Sequence, residues 1–600
     1  MQFRGLGTTI LGLLAISMGE AFVPVSFLRR LSTAAILLAT VSTVQIGSAG
    51  PAQADGLVGA YLAGRSATQD SDFAAAAQYF TRALVRDPAN PYLMESLVYT
   101  QLALGNLKAA VPVAQRMQDS GLRSQVANIV AAAHAGQTGD FATILDRDLE
   151  NEQISPLVDG LLTAWAHMGQ GAAQKALDSF DEVAKQQELR FFALYHKALA
   201  LASVGDFEGA ERLFSDNGGQ LGRSSRRAAI ARVEVLSQLG RTDDALQVLT
   251  ESFGSSLDPS LARMSDALAA GEALPFSIAP NPRAGLAEVF FVLASALQDE
   301  AADDYVLLYA RSATALRPDH VDALLLGAEL LDKLGRYELA IAVYKQVPRD
   351  SADYHAAELG RAEALRRAAK PGAAAEVLEQ LIRDFPDSVI GHMDLGDLMR
   401  QEENYAAAVA AYDKALSLAG EDAGNRWFLL YARGICHERL KDWDKAEADF
   451  RAALDLNPDQ AQVLNYLGYS LVERREKLDE ALDMIERAVA ARPDSGYIVD
   501  SLGWVLYRLG RYDEAVGHME RAVELMPVDP VVNDHLGDVY WAVGRHLEAE
   551  FQWKRALSFI SAEETDGEAD PDRIRRKLDV GLDIVLEEEG ADPLKVANDG

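Results

Sequence analysis

Between Gln462 and Leu557 the apolar positions fall into paired helical runs, and the same pair returns three times. The copies read QVLNYLGYSLVERREKLDEALDMIERAVAARP, YIVDSLGWVLYRLGRYDEAVGHMERAVELMP and VVNDHLGDVYWAVGRHLEAEFQWKRAL. Apolar residues recur at i, i+3, i+4 and i+7, the spacing that gives a helix one apolar face. Gly468, Gly503 and Gly537 lie midway along the first runs, at spacings of 35 and 34 residues. Ala481, Ala515 and Ala549 follow in the second runs, then a large residue (Ile485, Met519, Trp553), then a second alanine (Ala488, Ala522, Ala556). Glycine in a helix interior costs about 1 kcal/mol relative to Ala, so its return at one period marks a crossing where two backbones approach closely. The pattern predicts two antiparallel helices per unit, with the large residue filling the groove between one hairpin and the next. Pro493 and Pro527 end the second helices of the first two units by removing an N–H donor.

A period near 34 residues with these small and large positions resembles that of the tetratricopeptide repeat superfamily. The resemblance implies an all-α fold, a right-handed superhelix (α-solenoid) of antiparallel helix pairs. Upstream, Gly64, Ala76, Phe80, Ala83 and Pro88 fall on the same offsets. The following units are degenerate: Val98 replaces the glycine, and Pro112 is expected to disturb its helix. Residues 255–284 lose the period and hold Pro259, Pro275, Pro280 and Pro282, which predicts a loop or hinge. The expected organisation is a leader over 1–54, a repeat solenoid of roughly six units over 55–254, the hinge, and a second solenoid of roughly eight units over 285–560. An acidic linker and a capping helix close the chain over 561–600. In that helix Asp572 is the expected cap, and Ile574, Leu578, Leu582 and Val585 share one face. Its basic start and acidic finish oppose the helix dipole, so packing is expected to hold it.

In the leader, Arg29-Arg30 precedes the apolar run Leu31 to Gly47 and the small-residue end Ala52-Gln53-Ala54. That is the layout of a secretory signal peptide cleaved near Ala54, with Met18 as an alternative start. No cysteine follows the run to accept a lipid, so a soluble, exported chain is expected, in the periplasm or peripherally associated with the envelope, without a stable membrane span. The charge changes the choice of partner. Lys and Arg total 57 against 90 Asp and Glu, a net charge of −33. Nucleic acid and anionic lipid are repelled, leaving neutral or basic protein and peptide partners. Cys436 is the single cysteine; it provides neither a disulfide nor a thiolate metal site and is expected in the core.

No catalytic, cofactor or metal-ligating constellation stands out, and the expected reading is a non-enzyme. What remains is binding. On the first helices, residues flanking the glycine point to the concave side: Asn465, Tyr469, Asp500, Trp504, Tyr507, Asn533, Asp534, Asp538 and Trp541. Aromatics beside amides and carboxylates suit a peptide surface, and the aspartates favour a ligand with amide or basic groups. His535 is expected as a polar packing position and His546 at a turn.

The motifs LNYLGYSL, DSLGWVLYRLG and NDHLGDVYWAVGR resemble a group of long proteobacterial repeat proteins, as does LPFSIAPNPRAGLAEVFF. That group includes an outer-membrane lipoprotein serving as adaptor for a periplasmic carboxyl-terminal processing protease. The resemblance implies an envelope scaffold or adaptor recruiting such a protease and its substrates. This chain departs from it in lacking the lipid-accepting cysteine. The alternatives are a structural assembly factor for envelope or polysaccharide machinery, or a cytoplasmic scaffold if the leader is not a signal.

Overall fold

The structure, a computed structural model, describes residues 56–223, 225–254, 257–421, 423–560, 569–591 and 594. The leader, with its signal sequence, lies outside the described residues. Among them the chain forms 31 α-helices and no strand, and no helix is long and apolar enough to cross a membrane. The chain divides into two compact units, Met1–Val377 and Leu378–Gly600.

Each glycine of the repeat marks a close approach. A methyl on Gly468 would lie 2.7 Å from Ile485, one on Gly503 2.2 Å from Met519, and one on Gly537 2.4 Å from Trp553. The large residue therefore closes over the glycine of its own hairpin. This corrects the expectation that it fills the groove towards the next one: the room left by the missing side chain is taken by the partner helix. Ala481, Ala515 and Ala549 are fully buried at the same crossings.

In the first unit six hairpins run from Leu57 to Phe253, the third with a second helix of only Phe141–Leu145. Pro112 does not break Leu107–Asp119. Pro112 and Lys108, the residue whose carbonyl loses its donor, are both exposed. The Pro-rich stretch differs from the expected loop, because it contains helix Pro259–Ala269, capped by Asp258, whose carboxylate accepts from the N–H groups of Ser260 and Leu261. Nor does the division into compact units fall there. Helix Pro282–Leu297 packs against Pro156–Gly169 and Arg190–Ser203, and helix Asp303–Leu316 against Pro91–Ala103 and Gln125–Thr138. The Tyr99 hydroxyl donates to Asp304 (2.6 Å), and Arg311 donates to the carbonyl of Ala103 (3.0 Å) at the end of its helix. The chain thus fills the inner side of its own first hairpins.

Glu234 ties the Pro-rich stretch to helix Arg226–Gln238, accepting from the Ser277 N–H (2.8 Å) and hydroxyl (2.5 Å). Burial pushes this carboxyl up to about 7 against the pull of those hydrogen bonds. The folded state then holds a proton that the unfolded chain, with a value near about 4.3, has already released. Stability is expected to fall as pH rises from about 4.3 to about 7. Unfolding midpoints across that range test this; the Glu234→Gln chain should lose the step, and an unchanged step would assign it elsewhere.

In the second unit five complete hairpins follow, from Val389–Gln401 paired with Tyr405–Leu418 to Pro530–Ala542 paired with His546–Phe559. Cys436 is buried, as expected. The expected single capping helix is two, Pro571–Val580 and Leu582–Glu588, broken at Gly581, whose φ of +87° is a left-handed value that ends the first helix. Its cap is Asp570 rather than Asp572, with Pro571 in the first turn. Of the four residues expected on one face, Ile574, Leu582 and Val585 are buried and Leu578 is half-buried, and they are shared between the two helices.

Candidate peptide-binding groove

Four successive first helices, Arg426–Arg439, Ala461–Glu473, Gly496–Arg508 and Pro530–Ala542, border an open groove of about 880 Å³. Of the residues expected on the binding side, Asn465, Tyr469 and Asp500 line it, together with Trp443, Tyr466, Tyr497 and His535. Tyr497 is 65% exposed. Most of the charges in the wall are engaged. Asp500 meets His535 Nδ1 at 3.1 Å, Arg474 lies 4.7 Å over the Trp443 ring, and Asp529 caps Pro530–Ala542. Two polar atoms of lining residues have no hydrogen-bond partner: the Asn465 carbonyl oxygen, an acceptor, and the Trp443 indole N–H, a donor. Both atoms are buried behind the wall rather than open to the groove.

The other six residues serve packing or are already engaged. Trp504 stacks between His535 (4.0 Å) and Tyr507 (4.8 Å), and its indole N–H donates to Glu473 at 3.1 Å. Tyr507 is buried. Asn533 is fully buried and donates to the carbonyls of Pro527 and Asp529, tying its helix to the preceding turn. Asp534 and Asp538 are buried against the Lys577 ammonium, and Trp541 donates to Asp583. The tail is therefore held by charge as well as by packing, a correction to the expectation from its dipole. His535 has the polar packing position expected of it, and His546 begins its helix, stacked 4.1 Å from Trp541. Among the described residues no group of three or more His, Cys, Asp or Glu is placed to hold a metal ion.

Tetratricopeptide repeat family models match residues 61–121, 299–355, 359–425, 427–460, 467–530 and 501–564, more than half of the chain. The chain is a tetratricopeptide repeat protein. It is similar to the TPR repeat-containing protein PA4667 of Pseudomonas aeruginosa, 31% identical over 173 residues, which cover 29% of this chain and 28% of that one. A stretch of 87 residues is 40% identical to the lipoprotein NlpI homolog of Haemophilus influenzae, covering 14% of this chain and 26% of the relative. The chain thus spans under a third of either relative's length. Among solved structures, the APC/C hetero-tetramer Cut9–Hcn1 is similar at 15% identity with a TM-score of 0.36, over 86% of this chain and 96% of that chain.

Within this tetratricopeptide repeat protein, sequence reasoning missed Trp443 and Tyr497 in the groove. Tyr497 precedes Ser501 and Trp504 by four and seven residues, so the helical period puts all three on one face. Trp443 begins a second helix and had no such signal, because repeat logic assigns the inner face to first helices.

Proposed function

We propose that this protein is an exported, non-enzymatic scaffold that holds neutral or basic protein segments in the groove bordered by helices Arg426–Arg439 to Pro530–Ala542. The observation that carries this reading is the open, aromatic-walled groove, in contrast to the hairpins of the first unit, whose inner side the chain itself fills. Tyr469 and Tyr497 offer flat apolar anchors. The adaptor reading, recruitment of a carboxyl-terminal processing protease in the periplasm, is supported by the motif resemblance and by the likeness to a relative named a lipoprotein.

Capture of partners from the exported fraction tests it. The double variant Tyr469→Ala, Tyr497→Ala should bind its partner roughly thirtyfold more weakly, the scale of losing anchor aromatics, with unchanged helical content. Unchanged capture would put the binding face elsewhere. A co-purified serine protease supports the adaptor; assembly machinery without one favours a structural factor. N-terminal sequencing should begin at Asp55, and retention of earlier residues would remove the export reading.

A further inference from the structure

The C-terminal segment is seated against helix Pro530–Ala542 by a buried lysine. Lys577 is 1% exposed, and its ammonium donates to both carboxylate oxygens of Asp534 (2.9 Å each) and to Asp538 (2.6 Å). Arg573, one helical turn earlier, reaches Asp538 at 3.6 Å. Trp541 completes the seat: its indole N–H donates to Asp583 (2.9 Å), and a methyl on Gly581 would lie 2.6 Å from its ring. A lysine this deeply buried requires opposite charge, and two carboxylates one turn apart on a helix equally require a cation. Burial pushes the Asp534 carboxyl up, Lys577 pulls it back, and Asp538 adds to the rise.

The rest of the attachment is packing: helix Pro571–Val580 lies on helix His546–Phe559, Ala569, Ile574, Leu582 and Val585 are buried, and Leu578 and Leu586 pack partly buried against the core. The pairs Arg573–Glu589 and Arg576–Glu588 link the two helices to each other across partly exposed surface, where ion pairs contribute little. The connecting sequence SAEETDGE, residues 561–568, contains no large apolar residue.

We propose that Asp534, Asp538 and Trp541 form a lysine-recognition site for a basic amphipathic helical segment of a protein partner, and that the chain's own C-terminal segment is the resident occupant which that partner displaces. The resident segment is the template for the ligand. It presents Arg573 and Lys577 four residues apart beside Ile574, so one helix face carries two cations and an apolar residue. A net charge of −33 draws such a segment in. The site rests on this seating alone and holds whether or not the Asn465–Tyr497 groove is used.

The test uses the full chain with a protease site placed within 561–568 and cut after folding, and a labelled synthetic peptide of residues 569–591 as the probe. The peptide should exchange onto the cut protein, and the Lys577→Met peptide should bind at least about thirtyfold more weakly, the low end for removing one partner of a buried charge pair. In the uncut chain, Lys577→Met should raise affinity for the wild-type peptide above that of the unaltered chain. Failure to exchange with retained helical signal would make the segment a permanent cap. Equal binding of the Lys577→Met peptide would remove the lysine from recognition. A dimer of the intact chain by light scattering, dissociated by the free peptide, would make a second copy the occupant. Loss of groove capture by Tyr469→Ala, Tyr497→Ala leaves these outcomes unaffected.

Discussion

Replacing Glu288 by Ala is expected to destabilise the first unit by about 3–5 kcal/mol, the scale of breaking a buried ion pair from one side. Glu288 is fully buried on helix Pro282–Leu297. One carboxylate oxygen accepts from the Tyr195 hydroxyl and from Arg227 Nε, both at 2.8 Å, and the other accepts from Arg227 Nη2 at 2.7 Å and faces His320 Nε2 at 3.4 Å. Without it, Arg227 keeps, among the described residues, the ion pair with the partly exposed Asp322 and the Phe291 ring 5.1 Å away, and Tyr195 loses its acceptor. Burial alone would raise the Glu288 carboxyl, but the charge and hydrogen bonds of Arg227, with His320 close by, outweigh it and hold the group well below the usual range. A depressed carboxylate stabilises the fold above its unfolded value, near about 4.3, and that contribution is lost as pH falls below it. Urea midpoints should therefore drop in the Ala variant at neutral pH and converge with the wild type in acid. A constant gap down to acid pH would show that the network is not the source.

Trp553→Ala is expected to cost about 3–5 kcal/mol in the second unit. The ring is fully buried over Gly537, and its indole N–H donates to Asp538 at 2.9 Å, beside the Lys577 site. Neither Gly537 nor Ala549 has side-chain volume to fill the space, so a cavity remains. In stacked repeats the loss is shared with nearest neighbours. Hydrogen exchange should thus accelerate first in hairpin Pro530–Phe559 and in the C-terminal segment it carries. Uniform acceleration along the whole chain would contradict this.

Part of the groove lining was legible because helix geometry is local. Once Gly468 and Gly503 are placed at the crossing, the 3.6-residue period fixes the sides on which Asn465, Tyr469 and Asp500 lie, and all three line the groove. The same rule put Asp534, Asp538 and Trp541 at equivalent positions, yet there the inner face is covered by Lys577 and Asp583, 43 and 42 residues further along the chain. Nothing periodic announces that pairing.

The sequence by itself determined the helix pairs, their close crossings and the acidic character of the surface, since each follows from residues a few positions apart. Which inner faces stay open was decided by tertiary structure alone. Contacts such as Tyr195 with Glu288, 93 residues apart, and Tyr99 with Asp304, 205 apart, depend on how hairpins stack in space, and a residue's chance of meeting such a partner leaves no mark on its neighbours in the chain.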